Sequence, residues 1–182
     1  MARHGRGWLG LIAASALAMG TPYAAGAQDV GGFFRNLFGP SPPPAVGLPA
    51  DEVPCPQVDV SDGGAAITAY GGGRVGDQKS LRHQISLANF ARECRIQGDG
   101  SVLVRVGVQG RVLLGPAGSA GSFATPVHFT VKVGERLIAT KVQQVAVKVG
   151  VGETQGTFIA VQDGLVVPGR DAAEFEIEVG LG

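Results

Sequence analysis

The sequence predicts an all-β domain of seven or eight short strands, and three observations carry that expectation. Apolar and polar residues alternate with period 2 in several runs, turn dipeptides recur between those runs, and the glycines are scattered among valine-rich stretches instead of forming one tract. Thirty glycines in 182 residues suit many short strands separated by turns.

Ahead of the strands, residues 1–27 read as a secretory signal peptide. Arg3 and Arg6 give a positive start, "WLGLIAASALAMG" an apolar centre, and Ala25, Gly26 and Ala27 small residues before a cleavage point. The apolar run from Trp8 to Met19 is shorter than the roughly 20 residues that cross a bilayer, so the expected product is exported, soluble and periplasmic, beginning at Gln28. No cysteine lies near the cleavage point, which disfavours a lipid-modified N-terminus. The leader takes away two arginines and no acidic residue, so the even balance of 15 basic and 15 acidic side chains becomes slightly acidic. No nucleic-acid partner is expected, because that requires a basic surplus. The single Trp and both Met leave with the leader, and the core must be built from Val, Ile, Leu, Ala and Phe.

Residues 28–54 read as a flexible tether. They hold six prolines, and Pro42 to Pro44 favour an extended conformation that does not pack into a sheet. Within the tether, "GFFRNLFG" gathers three of the eight phenylalanines. Helical spacing would set Phe34, Leu37 and Phe38 on one face, with Phe33 and Arg35 beside them. Phe33, Phe34, Leu37 and Phe38 are therefore candidate partner-docking residues, for an envelope protein or a membrane surface. The plainer reading is a disordered leader with chance aromatics.

Residues 55–182 form the expected domain. "SVLVRVGV" turns Val102, Val104, Val106 and Val108 inward, and "VHFTVKV" does the same with Val127, Phe129, Val131 and Val133. "EFEIEVGL" sets Phe175, Ile177, Val179 and Leu181 against Glu174, Glu176 and Glu178. Further strands are expected at 57–60, 65–70, 136–149 and 157–162. In 136–149 the alternation breaks near Gln143 and Gln144, which suggests a bulge or a crossing between sheets. Turns are expected at Asp62-Gly63-Gly64, Gly98-Asp99-Gly100, Gly134-Glu135 and Asp163-Gly164. This spacing fits a β-sandwich of immunoglobulin or fibronectin type III style, with a small closed barrel as the second choice. The segment "KSLRHQISLANFARECRI" stays open: as a helix it groups Leu81, Ile85, Ala88 and Ala91, while its all-β surroundings favour a strand.

Cys55 and Cys94 are the only cysteines, and in an oxidising compartment they have one possible pairing. A bridge would contribute about 4 kcal/mol on a chain-entropy basis; the alternative is two buried free thiols. A metal site would need more ligands, and the exported chain adds only His83 and His128.

Gly71, Gly73 and Gly76 match G-x-G-x-x-G after an apolar run. No further βαβ units follow, so no nucleotide or other cofactor is expected. Gly115, Gly118 and Gly121 invite a phosphate-loop reading, but the Gly-Lys-Ser/Thr ending is missing and a strand follows. Ser119 and Ser122 lack the G-x-S-x-G setting of a nucleophile elbow. His83 and His128 have no evident nucleophile beside them, and His128 alternates onto a polar face. Glu174, Glu176 and Glu178, about 6.6 Å apart along a strand, read as a solvated face paired with cations across the sheet.

The run "ARECRIQGDGSVLVRVGVQGRVLLGPAGSAGSFATPVHFTVKVG" resembles an uncharacterised group of exported bacterial envelope proteins in its "AREC" segment, its "VGVQGRVLLGPAG" segment and the Pro-Val strand that follows. The likeness covers the domain from Cys55 onward and not the tether. It implies a periplasmic β-sandwich, and no catalytic or binding residue carries over. The function expected is a periplasmic, non-enzymatic structural or interaction module of the cell envelope, docking through its Phe-rich segment. The alternative is a small-molecule or glycan binding protein using the loops at 71–79 and 115–122; the lack of a Trp in the exported chain and of clustered aromatics disfavours glycan stacking and leaves Tyr70 and Phe123 as the rings available for it.

Overall fold

The computed structural model describes residues 55–72 and 75–182. The expected leader and tether, with the candidate docking residues Phe33, Phe34, Leu37 and Phe38, lie outside them.

Eight strands follow one another: β1 (Val58–Val60), β2 (Ala66–Tyr70), β3 (Leu81–Ile96), β4 (Val102–Leu114), β5 (Gly121–Val133), β6 (Arg136–Val149), β7 (Gln155–Val167) and β8 (Glu176–Leu181). They form two open four-stranded sheets in the orders β1-β8-β5-β6 and β2-β3-β4-β7. The domain is thus an eight-stranded β-sandwich, and the barrel alternative is set aside. Every pairing is antiparallel except that of β1 with β8. The links from β4 to β5 and from β6 to β7 carry the chain between sheets at the sandwich ends.

Period 2 places the core where the sequence put it. Val102, Val104, Val106, Val108, Val127, Phe129, Val131, Ile177 and Val179 are fully buried between the sheets. β8 begins at Glu176, so Glu174 belongs to the preceding turn. On the outer face, Lys132 Nζ lies 2.5 Å from Glu178 and 3.7 Å from Glu176, the cross-strand pairing expected of that acidic face.

Residues 81–96 are strand throughout, and a bulge explains why their alternation reads poorly. Up to Leu87 the odd residues oppose inward positions of β4, with Ile85 against Val112. The register shifts between Leu87 and Asn89, and from there the even residues take over, Phe90 against Val108 and Cys94 against Val104. Asp163-Gly164, expected as a turn, is a second bulge inside β7: Gly164 has φ +76°, and the register shifts opposite Val104/Val106. It moves the inward parity from Phe158 and Ala160 to Leu165 and Val167. The bulge expected near Gln143 is absent. Gln144 and Gln143 pair in step with Pro126 and Val127, and Val142 simply faces solvent. The irregularity of this pair lies between Val131 and Lys132, where Ile138 has no opposite residue.

Cys55 and Cys94 form the disulfide, with Cα atoms 5.6 Å apart. Arg92 Nε adds a hydrogen bond of 3.1 Å to the Cys55 carbonyl. β2 pairs with β3 only as far as Ser86, so this staple sits where β3 has lost that neighbour. The bridge marks an oxidising, non-cytoplasmic environment. No described helix is long and apolar enough to cross a membrane.

Candidate functional site

At one end of the sandwich the inter-sheet layer stops being aliphatic. His83 sits opposite Leu114, two residues before buried Ile85 on β3. Phe123 occupies the matching inward position on β5, two residues before buried Thr125. The two rings meet across the sheets with centroids 4.7 Å apart and planes tilted by 57°.

The link from β4 to β5 closes over this mouth. Gly115 N–H donates to the Arg82 carbonyl and Ala117 N–H to the Leu81 carbonyl, each at 2.9 Å, and Gly118 N–H donates back to Gly115. The result is a cleft of about 330 Å³, lined by Arg82, His83, Ser119, Ser122, Phe123 and the backbone from Gly118 to Gly121. Burial, and then the neighbouring Arg82 charge, lower the His83 pKa, which favours the neutral imidazole. Arg82 is exposed and forms no ion pair among the described residues. Among the described residues no acidic side chain lines the cleft, whose lining combines an arginine, two serines, the backbone from Gly118 to Gly121 and an aromatic flank.

Two of the glycines of "LLGPAGSAG", Gly115 and Gly118, allow this close approach. A methyl group on Gly118 would lie 2.1 Å from the Arg82 carbonyl oxygen, and one on Gly115 would lie 2.3 Å from that of Leu81. Backbone meets backbone at both places, so no side chain can move aside. Gly118→Ala is expected to lift the loop off β3 and cost about 1–3 kcal/mol by overpacking. A lower urea midpoint, with amide shifts concentrated at 81–83 and 115–123, is the check.

The structure brings together part of what the sequence singled out. His83, Ser119, Ser122, Phe123 and the 115–122 loop converge on the cleft, whereas none of the described residues of 71–79 lines it. After Gly76 the chain enters a three-residue 3-10 turn, Gln78–Ser80, and then β3, so the helix that a dinucleotide fingerprint requires is not there. Tyr70 ends β2 opposite Leu81. His128 lies opposite Val142 and Gly180, between buried Val127 and Phe129, on the outer face of the other sheet.

Arg82 is the residue that sequence reasoning missed. Its one signal was a cation next to the histidine in "SLRHQIS", and only the long-range fold sets it beside the loop. A second hollow, of about 120 Å³ on the outer face of β3, β4 and β7, is lined by Glu93, Arg95, Leu103, Arg105, Asp163 and Gly164. Its charges pair off, Arg95 with Glu93 at 2.5 Å and Arg105 with Asp163 at 2.8 Å. The β7 bulge sets Asp163 within reach of Arg105, which accounts for this cluster structurally.

No family model matches the chain, and neither a curated protein nor a solved structure matches it.

Proposed function

We propose that the chain is a periplasmic, non-enzymatic interaction module of the cell envelope, exported by a signal peptide at 1–27. Its contact element is the segment carrying Phe33, Phe34, Leu37 and Phe38, and its partner is an envelope protein or a membrane surface. The observation that supports this most is the position of the disulfide. Cys55, where the tether meets the domain, is covalently fixed to β3, so tension along residues 28–54 passes into the sheet and not into the three-residue strand β1.

Cell fractionation tests the proposal, with the tagged full chain compared against a version lacking Gly31 to Pro54. The full chain is expected to sediment with the envelope and the shortened one to stay in the soluble periplasm. If both stay soluble, the Phe-rich segment is a spacer and the docking role is withdrawn.

The cleft favours a second reading, a small-molecule or glycan binding protein that works through the β4–β5 loop at the mouth of the sandwich. Here the described residues of 71–79 take no part, and Arg82 and His83 enter.

A further inference from the structure

We propose that the mouth cleft binds a small monocarboxylate the size of a sugar acid, with the carboxylate on Arg82 and the ring flank on Phe123. This rests on the ligand-binding reading and names its ligand class.

Charge makes the first argument. Among the described residues the lining carries one permanently charged side chain, Arg82, and no acidic group. A ligand with one negative charge completes the balance, and a planar guanidinium matches the two oxygens of a carboxylate in bidentate geometry. Inorganic phosphate offers no ring to lie against Phe123 and no hydroxyl-bearing carbon skeleton to fill the cleft.

Size and lining make the second. A cleft of about 330 Å³ lies at the lower end of the roughly 300–1,000 Å³ range of small-molecule sites. The hydroxyls of Ser119 and Ser122 and the backbone at Gly118 to Gly121 offer donors and acceptors for ring hydroxyl groups. Phe123 is half-buried, so its position is fixed while part of it stays open.

His83 adds a pH dependence. Among the described groups around it, β2 contributes Ala69, β4 Leu114 and β5 Phe123, the loop contributes serines, and Arg82 on its own strand is the one charged residue. None of these described groups offsets a proton on this ring, and an anion would. A bound carboxylate therefore stabilises the imidazolium, and by linkage affinity rises as pH falls.

The test is an NMR titration of the full chain with glucuronate, glucose and inorganic phosphate. Glucuronate should shift the amides of 82–83 and 119–123, at least tenfold more tightly than either glucose or phosphate. Its affinity should be several-fold higher at pH 5.5 than at pH 7.5, an effect lost in His83→Gln. Arg82→Gln should weaken glucuronate at least tenfold and leave the melting temperature unchanged, because Arg82 is exposed and forms no ion pair among the described residues.

Glucose binding at the cleft as tightly as glucuronate, or indifference to Arg82→Gln, overturns the carboxylate assignment and leaves the ligand-binding reading standing. Tighter binding of phosphate does the same. An affinity that does not change with pH overturns the placement of the carboxylate beside His83. If none of the three shifts the cleft amides, both the assignment and the reading beneath it fall.

Discussion

Replacing Cys55 and Cys94 together with alanine lowers the stability of the domain by about 4 kcal/mol, the largest effect expected of any change at its boundary. The bridge closes a loop of 39 residues, so most of its contribution comes from restricting the unfolded chain. Little in the folded state can replace it. Past the bridge, β1 pairs with β8 over three residues, and one of them, Val60, is 37 % exposed. Arg92 holds the Cys55 carbonyl, but a single hydrogen bond contributes only about 1–2 kcal/mol. For a domain of this size the loss corresponds to a fall in melting temperature of about 10–15 °C. Urea denaturation of the double variant measures it, and reduction of the parent protein should reproduce the same midpoint. A midpoint within experimental error of the oxidised parent would mean that β1 and the Cys55 segment hold their place unaided. The bridge would then have no part in carrying load from the tether.

The sequence displayed the core strands because burial repeats without interruption in β4, β5 and β8, where every second side chain lies between the sheets. Legibility failed where a single inserted residue reversed the parity. The bulge between Leu87 and Asn89 hid β3 behind a helix-like pattern, and the bulge at Asp163-Gly164 looked like a turn because glycine at positive φ serves both. A period-2 template has no way to register a change of phase that depends on the neighbouring strand.

The candidate site was legible residue by residue but not as a set. His83 and the 115–122 loop stood out from local chemistry. That they belong together depends on β3 and β5 lying in different sheets, face to face, with the β4–β5 link folded back over Leu81 and Arg82. Such pairings are long-range, and composition and spacing carry no trace of them. The close approach that demands Gly115 and Gly118 is likewise visible only once the opposing carbonyls are placed.

Phe129 and Phe123 lie on one strand with the same inward parity, so truncating each to alanine separates what β5 does for stability from what it does at the cleft. Phe129 is fully buried among Val and Leu side chains at the centre of the sandwich. Its removal leaves a cavity that rigid strands on both sides cannot close, and Phe129→Ala is expected to cost about 3–5 kcal/mol. If the alanine variant does not accumulate, Phe129→Leu retains most of the volume and should cost about 1–2 kcal/mol. Phe123 is half-buried at the mouth and only partly packed against the core. Its ring meets His83, and solvent already reaches the cleft beside it. Phe123→Ala should therefore cost about 1 kcal/mol, because less area leaves water when that ring packs. It should also move the His83 resonances and abolish glucuronate-dependent shifts. Chemical denaturation and histidine NMR on the same pair of variants give both readouts. Equal stability losses would show that the core extends undiminished to the mouth, leaving no softer end at which a ligand could be received.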